Sequence, residues 1–218
     1  NPHQSGSIHG GQFGAYNYHD DGLNYYTLIG GLQFNGYDTD RELQFNGINR
    51  VADGNFSGWQ GFAYLERGVK FQSPRFMLQP YGALQYIYLR QNSFTESGAD
   101  SLNLSVAGLD ADSLRSLLGG RLQFNHRTHN NVRWQPELRA LWLHELLDTS
   151  SVVNASFAPT VGGSFAVQGL DLGRDWALVG GGVRWELPGG WSLYGNYDAQ
   201  INAQQVFHVG SGGVQLTW

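Results

Sequence analysis

Apolar and polar residues alternate with a period of two through most of the chain, and the C-terminal stretch shows it most compactly. Val214, Leu216 and Trp218 fall on one side of an extended strand, with Ser211, Gly213, Gln215 and Thr217 on the other. The same pattern recurs upstream and predicts about ten antiparallel strands, over 8–19, 23–37, 41–51, 57–71, 76–92, 113–126, 132–147, 176–187, 191–201 and 206–218. Turn clusters separate them at 20–22, 38–40, 52–55, 127–131 and Pro188-Gly189-Gly190. The stretches 93–112 and 148–173 are longer and read as loops, the second with some β structure of its own.

These connections are too short to bring a second sheet over the apolar faces. A single closed sheet, apolar outside and polar inside, satisfies every backbone group. The expected fold is therefore all-β, an antiparallel transmembrane β-barrel forming one domain over 1–218. The outward set includes Trp59, Leu84, Leu122, Leu138, Val183, Leu193 and Leu216, which should stay uncovered by protein because lipid is their burial partner. Arg67 falls on this apolar face and must snorkel to a headgroup. The facing of 8–19 is ambiguous, and this strand is expected either to pair with 206–218 or to leave an edge that other residues must cover.

Charges change the picture most. Glu66, Arg121, Glu137, Arg139, Arg184, Glu186 and Asp198 all fall on the polar side of the central strands. They would pack a dry core badly but would line a wet lumen, where ion pairs account for them without chemistry. Connections also alternate in length, tight at one end and long at the other, as membrane barrels require.

Composition narrows the reading further. Charged residues make up 14% of the chain, against about 25% in average usage, while glycine and aromatics run high. A net charge of −5 with a single lysine, Lys70, argues against a nucleic-acid surface. The absence of cysteine excludes disulfides, thiolate-bound zinc and cysteine nucleophiles. No run of eighteen apolar residues occurs, which excludes a helical span, and the mean hydropathy of −0.35 reflects the dilution that alternation imposes. No basic and apolar leader follows Asn1, so a signal peptide is expected upstream or already removed.

Candidate chemistry is thin. His126 and His129 flank Arg127, but one ends a strand and the other sits in a turn, so a metal pair is not expected. His144 and Glu145 are neighbours on a strand and should point to opposite faces. Glu137, Arg139 and Glu145 share a lumen face, where a structural charge ladder outweighs a ligand site. Ser105, Ser150 and Ser151 have no placed histidine, and no Gly-x-Ser-x-Gly elbow occurs. No catalytic, cofactor-binding or metal-binding residue is expected.

A set of ordered motifs carries a more specific resemblance: Gly11 to Tyr18, Asp40-Arg41, Tyr64-Leu65-Glu66-Arg67-Gly68-Val69, and Leu78-Gln79-Pro80-Tyr81-Gly82-Ala83-Leu84-Gln85-Tyr86. It continues through Phe94-Thr95-Glu96-Ser97-Gly98-Ala99, Leu118-Gly119-Gly120-Arg121, Trp134-Gln135-Pro136-Glu137-Leu138, Trp142-Leu143-His144-Glu145 and the end from Gly213 to Trp218. In this order the chain resembles the C-terminal β-domain of autotransporters, the translocator of type V secretion. That resemblance implies a twelve-stranded barrel in the outer membrane of a Gram-negative bacterium, without turnover, that serves its own N-terminal passenger. It begins at what looks like the family's second hairpin, so the first hairpin and the helix that threads the lumen are expected to be missing here. It further implies that Gly213, Val214, Leu216 and Trp218 form a signal read by the outer-membrane barrel-assembly machinery, with Trp218 where the family usually has Phe or Tyr. The competing readings are an outer-membrane barrel enzyme of protease or lipase type and a simple solute pore.

Overall fold

The computed structural model describes residues 4–128, 132–158 and 163–217. In chain order the strands are β1 (Gln4–Asp20), β2 (Asn24–Phe45), β3 (Ile48–Val69), β4 (Phe71–Gln72), β5 (Phe76–Gln91), β6 (Phe94–Thr95), β7 (Leu104–Val106) and β8 (Leu109–Phe124). They continue as β9 (His126–Arg127), β10 (Arg133–Glu145), β11 (Val152–Phe157), β12 (Ser164–Gln168), β13 (Asp175–Glu186), β14 (Trp191–Ile201) and β15 (Val206–Leu216). One sheet runs β1-β2-β3-β5-β8-β10-β13-β14-β15, each strand antiparallel to its neighbours, with β4 and β9 extending the ladders on β5 and β10.

This meander follows from the period-two pattern. Successive side chains point to opposite faces, and here the two faces meet different surroundings. On the convex side Leu84, Leu138, Leu193 and Leu216 are exposed, while Trp59, Leu122 and Val183 are half-buried; none of the seven outward residues is covered by protein. On the other side Glu66 of β3 reaches Arg121 of β8 across β5, and Arg139 of β10 reaches Asp198 of β14 across β13. Contacts that skip a strand require a sheet curled toward that side. The concave face also holds a buried apolar cluster of Tyr25, Tyr81, Ala83, Leu117, Leu141, Leu143 and Trp176, so it is not polar throughout.

The expected about ten strands are found as a sheet of eleven, nine long and two short, but their division differs from the pattern reading. The stretch 41–51 is no separate strand: β2 continues to Phe45, turns at Asn46-Gly47, and returns as β3 from Ile48. Asn46 and Gly47 both have positive φ, the conformation a two-residue hairpin turn needs. The turns expected at 38–40 and 52–55 lie inside this hairpin, where Asp38 pairs with Asn55 and Thr39 with Gly54.

The hairpin is clamped by the first long loop. Arg41 donates to both Glu96 carboxylate oxygens, at 3.1 and 2.5 Å, and to the Leu102 carbonyl; Asp53 and Ser97 exchange backbone hydrogen bonds. The two long loops then join in a four-stranded sheet of order β12-β11-β7-β6. Leu104–Val106, expected as loop, is a strand there because β11 supplies its partner. All these elements gather at one end of the main sheet, the loop end; the connections 21–23, 73–75 and 187–190 mark the turn end.

Among the described residues β1 and β15 do not pair, so the curled sheet has two free edges. Of the two outcomes expected for the first strand, the open edge is the one found. Cross-strand register places Phe13 against Leu32 and stacks its ring on Phe34 of the convex face, which gives β1 the facing its sequence left ambiguous.

Candidate functional site

The concave wall gathers the charged residues singled out by alternation. Glu66 is 2% exposed, and its carboxylate accepts from the Tyr25 hydroxyl at 2.8 Å, from the Tyr64 hydroxyl and from Arg121 at 3.0 Å. The Arg121 guanidinium lies 4.4 Å from the centre of the Tyr81 ring. Three tyrosines from β2, β3 and β5 thus enclose the carboxylate end of one ion pair. Tyr64 stands two residues from Glu66 on the same face and was legible as its neighbour; Tyr25, brought in by the β2-β3 register, was not.

A second cluster lies on β10 and β14. Arg139 donates to both Asp198 oxygens, at 2.6 and 2.9 Å, and to Glu137 at 2.8 Å. Room for it comes from Gly180 and Gly182 of β13, since a side chain at either would run into Asp198 or Asn196. Nearer the turn end, Arg184 donates to Ser192 and Gln215 at 3.3 and 3.2 Å and sits over the Tyr194 ring, with no carboxylate partner among the described residues. Glu186 pairs at 3.4 Å with Arg133, both well exposed. Between these groups lies an open cavity of about 580 Å³, lined by Arg121, Glu137, Arg139, Arg184, Asn196 and Asp198 among others.

Glu145 does not join this wall's centre. It closes β10 at the loop end, where Ser113, the backbone of Leu114 and Leu147, and Arg115 donate to it. His144 points the other way, toward Asp175 at 2.9 Å, beside Trp142, whose indole N–H donates to the same oxygen. The His144-Glu145 dipeptide is therefore split between faces, as strand geometry dictates. His126 rests edge-on against Trp134, and His129 lies outside the described residues. Among the described residues no three His, Asp or Glu side chains converge as a metal site.

In the terminal strand Gly213 lies under the Tyr194 ring, while Val214 and Leu216 stand exposed on the convex side; Trp218 lies outside the described residues. What the wall offers is a curved surface of fixed donors and acceptors, among them the Tyr25, Tyr64 and Ser113 hydroxyls that donate to carboxylates.

Comparison with known proteins agrees with this architecture. The profile of the family described as "Autotransporter beta-domain" matches residues 2–198. Among solved structures, the translocator domain of autotransporter NalP from Neisseria meningitidis superposes with a TM-score of 0.73 at 20% identity, covering 99% of this chain and 68% of that one. A search of curated proteins finds no match.

Proposed function

The chain belongs to the autotransporter β-domain family, and from that membership we infer that it is an outer-membrane translocator that carries an N-terminal passenger to the cell surface. The observation that carries this reading is one curled sheet with an apolar, uncovered convex face and a charged concave wall, over a chain the family profile matches nearly throughout. Residues 1–218 belong to a single barrel unit in the outer membrane of a Gram-negative bacterium, with lipid against the convex face. Glu66, Arg121, Glu137, Arg139, Arg184, Glu186 and Asp198 line the lumen that the concave wall borders. Their role is to keep that lumen wet and its wall rigid, without catalysis and without a cofactor. The free edges of β1 and β15 are too costly to leave bare in hydrocarbon, so further strands complete the barrel in the working protein.

Gly213, Val214, Leu216 and Trp218 serve in this reading as the segment that the barrel-assembly machinery grips. Support comes from β15 itself, a free edge on which Val214 and Leu216 stand exposed on the convex side. The test is made in the full-length protein. Deleting the β-domain is expected to remove the passenger from the cell surface, read by protease shaving of intact cells; a surface passenger without the domain overturns the function. Ending the chain at Thr217 is expected to leave a barrel that refolds in detergent yet accumulates unassembled in cells. Normal cellular assembly of that variant overturns the assembly role alone.

A further inference from the structure

Arg67 sits on the wrong face for a charge. Alternation along β3 places Leu65, Arg67 and Val69 on the convex side, opposite buried Glu66. Register aligns Arg67 with Tyr26 and with His19, the residue before Asp20 and the turn 21–23, so it stands at the turn-end border of the apolar band. It is exposed, and among the described residues it makes neither an ion pair nor a hydrogen bond. By contrast Arg41, Arg115, Arg121 and Arg139 all hold carboxylates. In the lipid-facing setting of the preceding section, on which this inference rests, an unpaired guanidinium is costly and needs a partner from the membrane.

Its surroundings specify that partner. Register sets Arg67 beside Tyr26 of β2 and Gly82 of β5, and Tyr26 beside His19 of β1; the His19 and Tyr26 rings stack at 5.3 Å. Three groups able to donate hydrogen bonds thus stand in one row across three strands, while Gly82 leaves the guanidinium uncovered on its other side. Leu28 and Leu65, register partners one step toward the loop end, are both exposed. A planar guanidinium matches a phosphate with two parallel hydrogen bonds. Exposed leucines beside it match acyl chains. We propose that Arg67, with Tyr26 and His19, binds the phosphate of a phospholipid from the leaflet at the turn end, its acyl chains lying along Leu28 and Leu65.

The test uses the full-length protein purified from outer membranes, stripped of lipid in a nonionic detergent and titrated with dioleoylphosphatidylglycerol under native mass spectrometry. One tightly held lipid is expected in the wild type. Arg67→Gln should weaken it at least tenfold, which is 1.4 kcal/mol, and Arg67→Lys should retain part of the affinity. Dioleoylglycerol and inorganic phosphate should each fail to compete at equal concentration. Equal phosphatidylglycerol affinity in Arg67→Gln overturns the site, competition by dioleoylglycerol reduces it to apolar contact, and competition by inorganic phosphate makes it an anion site without lipid. Heat-modifiable gel migration reports the barrel separately, so its absence in the wild type counts against the barrel and not the lipid site. If Arg67→Gln does not migrate as folded protein, Tyr26→Phe decides: a several-fold loss supports the proposal and an unchanged affinity overturns it.

Discussion

Two ion-pair clusters stand on the concave wall, alike in chemistry and unlike in setting. Around Glu66 the tyrosines close off water and the carboxylate is almost wholly buried, while the Arg121 side chain stays 29% open beside the cavity. Around Arg139, Asp198 and Glu137 no ring closes over the charges, and 15%, 27% and 24% of their side-chain surfaces remain open. Removing Arg121 from the first strands the Glu66 charge away from water, at a cost that desolvation sets. Removing one from the second lets water take its place. The sealed cluster therefore holds β2, β3, β5 and β8 in a fixed curl, while the open one contributes charge to the cavity at little risk to the fold.

The sharpest test of that difference is Arg121→Ala. It should lower the unfolding free energy of the full-length protein in detergent, measured by urea titration, by about 3–5 kcal/mol. Glu66→Gln combined with Arg121→Met should cost less than Arg121→Ala alone, because no bare charge is left. An equal or larger cost for the double variant would remove desolvation as the reason. Arg139→Ala should cost less, about 1.5–3 kcal/mol, in the same titration. Gly180→Ala should reproduce part of that loss by displacing Asp198, and the two changes together should cost less than their sum. Lys70→Ala breaks a pair with Asp20 at the turn end, where both side chains are partly open to water, and should cost about 1 kcal/mol.

The smallest effect is expected at the turn 21–23. The backbone N–H groups of Asn24 and Leu23 donate to Asp21 and hold its carboxyl below the usual carboxylate range. A depressed carboxyl favours the folded turn above its ordinary pKa and loses that contribution as pH falls through the lowered value. Amide exchange at Leu23 and Asn24 should therefore quicken, after correction for intrinsic rates, only below about pH 4. A change between pH 5 and 7 would assign the turn's stability to another group.

The faces of the sheet were legible in the sequence because alternation is a local signal that curvature does not alter. Trp191 to Ile201 reads out its own two sides and matches β14. The hairpin β2-β3 misled for a physical reason. Asp38-Thr39-Asp40 and Ala52-Asp53-Gly54-Asn55 carry turn chemistry, yet Asn55 donates to Asp38 at 2.6 Å and Thr39 to the Gly54 carbonyl, so the partner strand absorbs the side chains that suggested turns. The real turn, Asn46-Gly47, is among the strongest short-range hairpin signals and lay inside a stretch whose alternation read as strand. The charges could be placed on a face but not matched with each other. Glu66 meets Arg121, fifty-five residues on, only because the sheet bends over β5 between them.

The long β2-β3 hairpin also has a mechanical consequence. Its tip at Asn46-Gly47 projects past the last pairs that β2 makes with β1 and that β3 makes with β5, and it is tied to the first long loop by Arg41 and Glu96. A pull on that tip along the strand direction loads both flanking ladders in shear, so their hydrogen bonds share the force and must fail together. A sideways pull on the edge strand β1 instead opens its ladder like a zipper, one pair at a time. The same sheet is thus stiff toward traction at its loop end and yielding at its open edge.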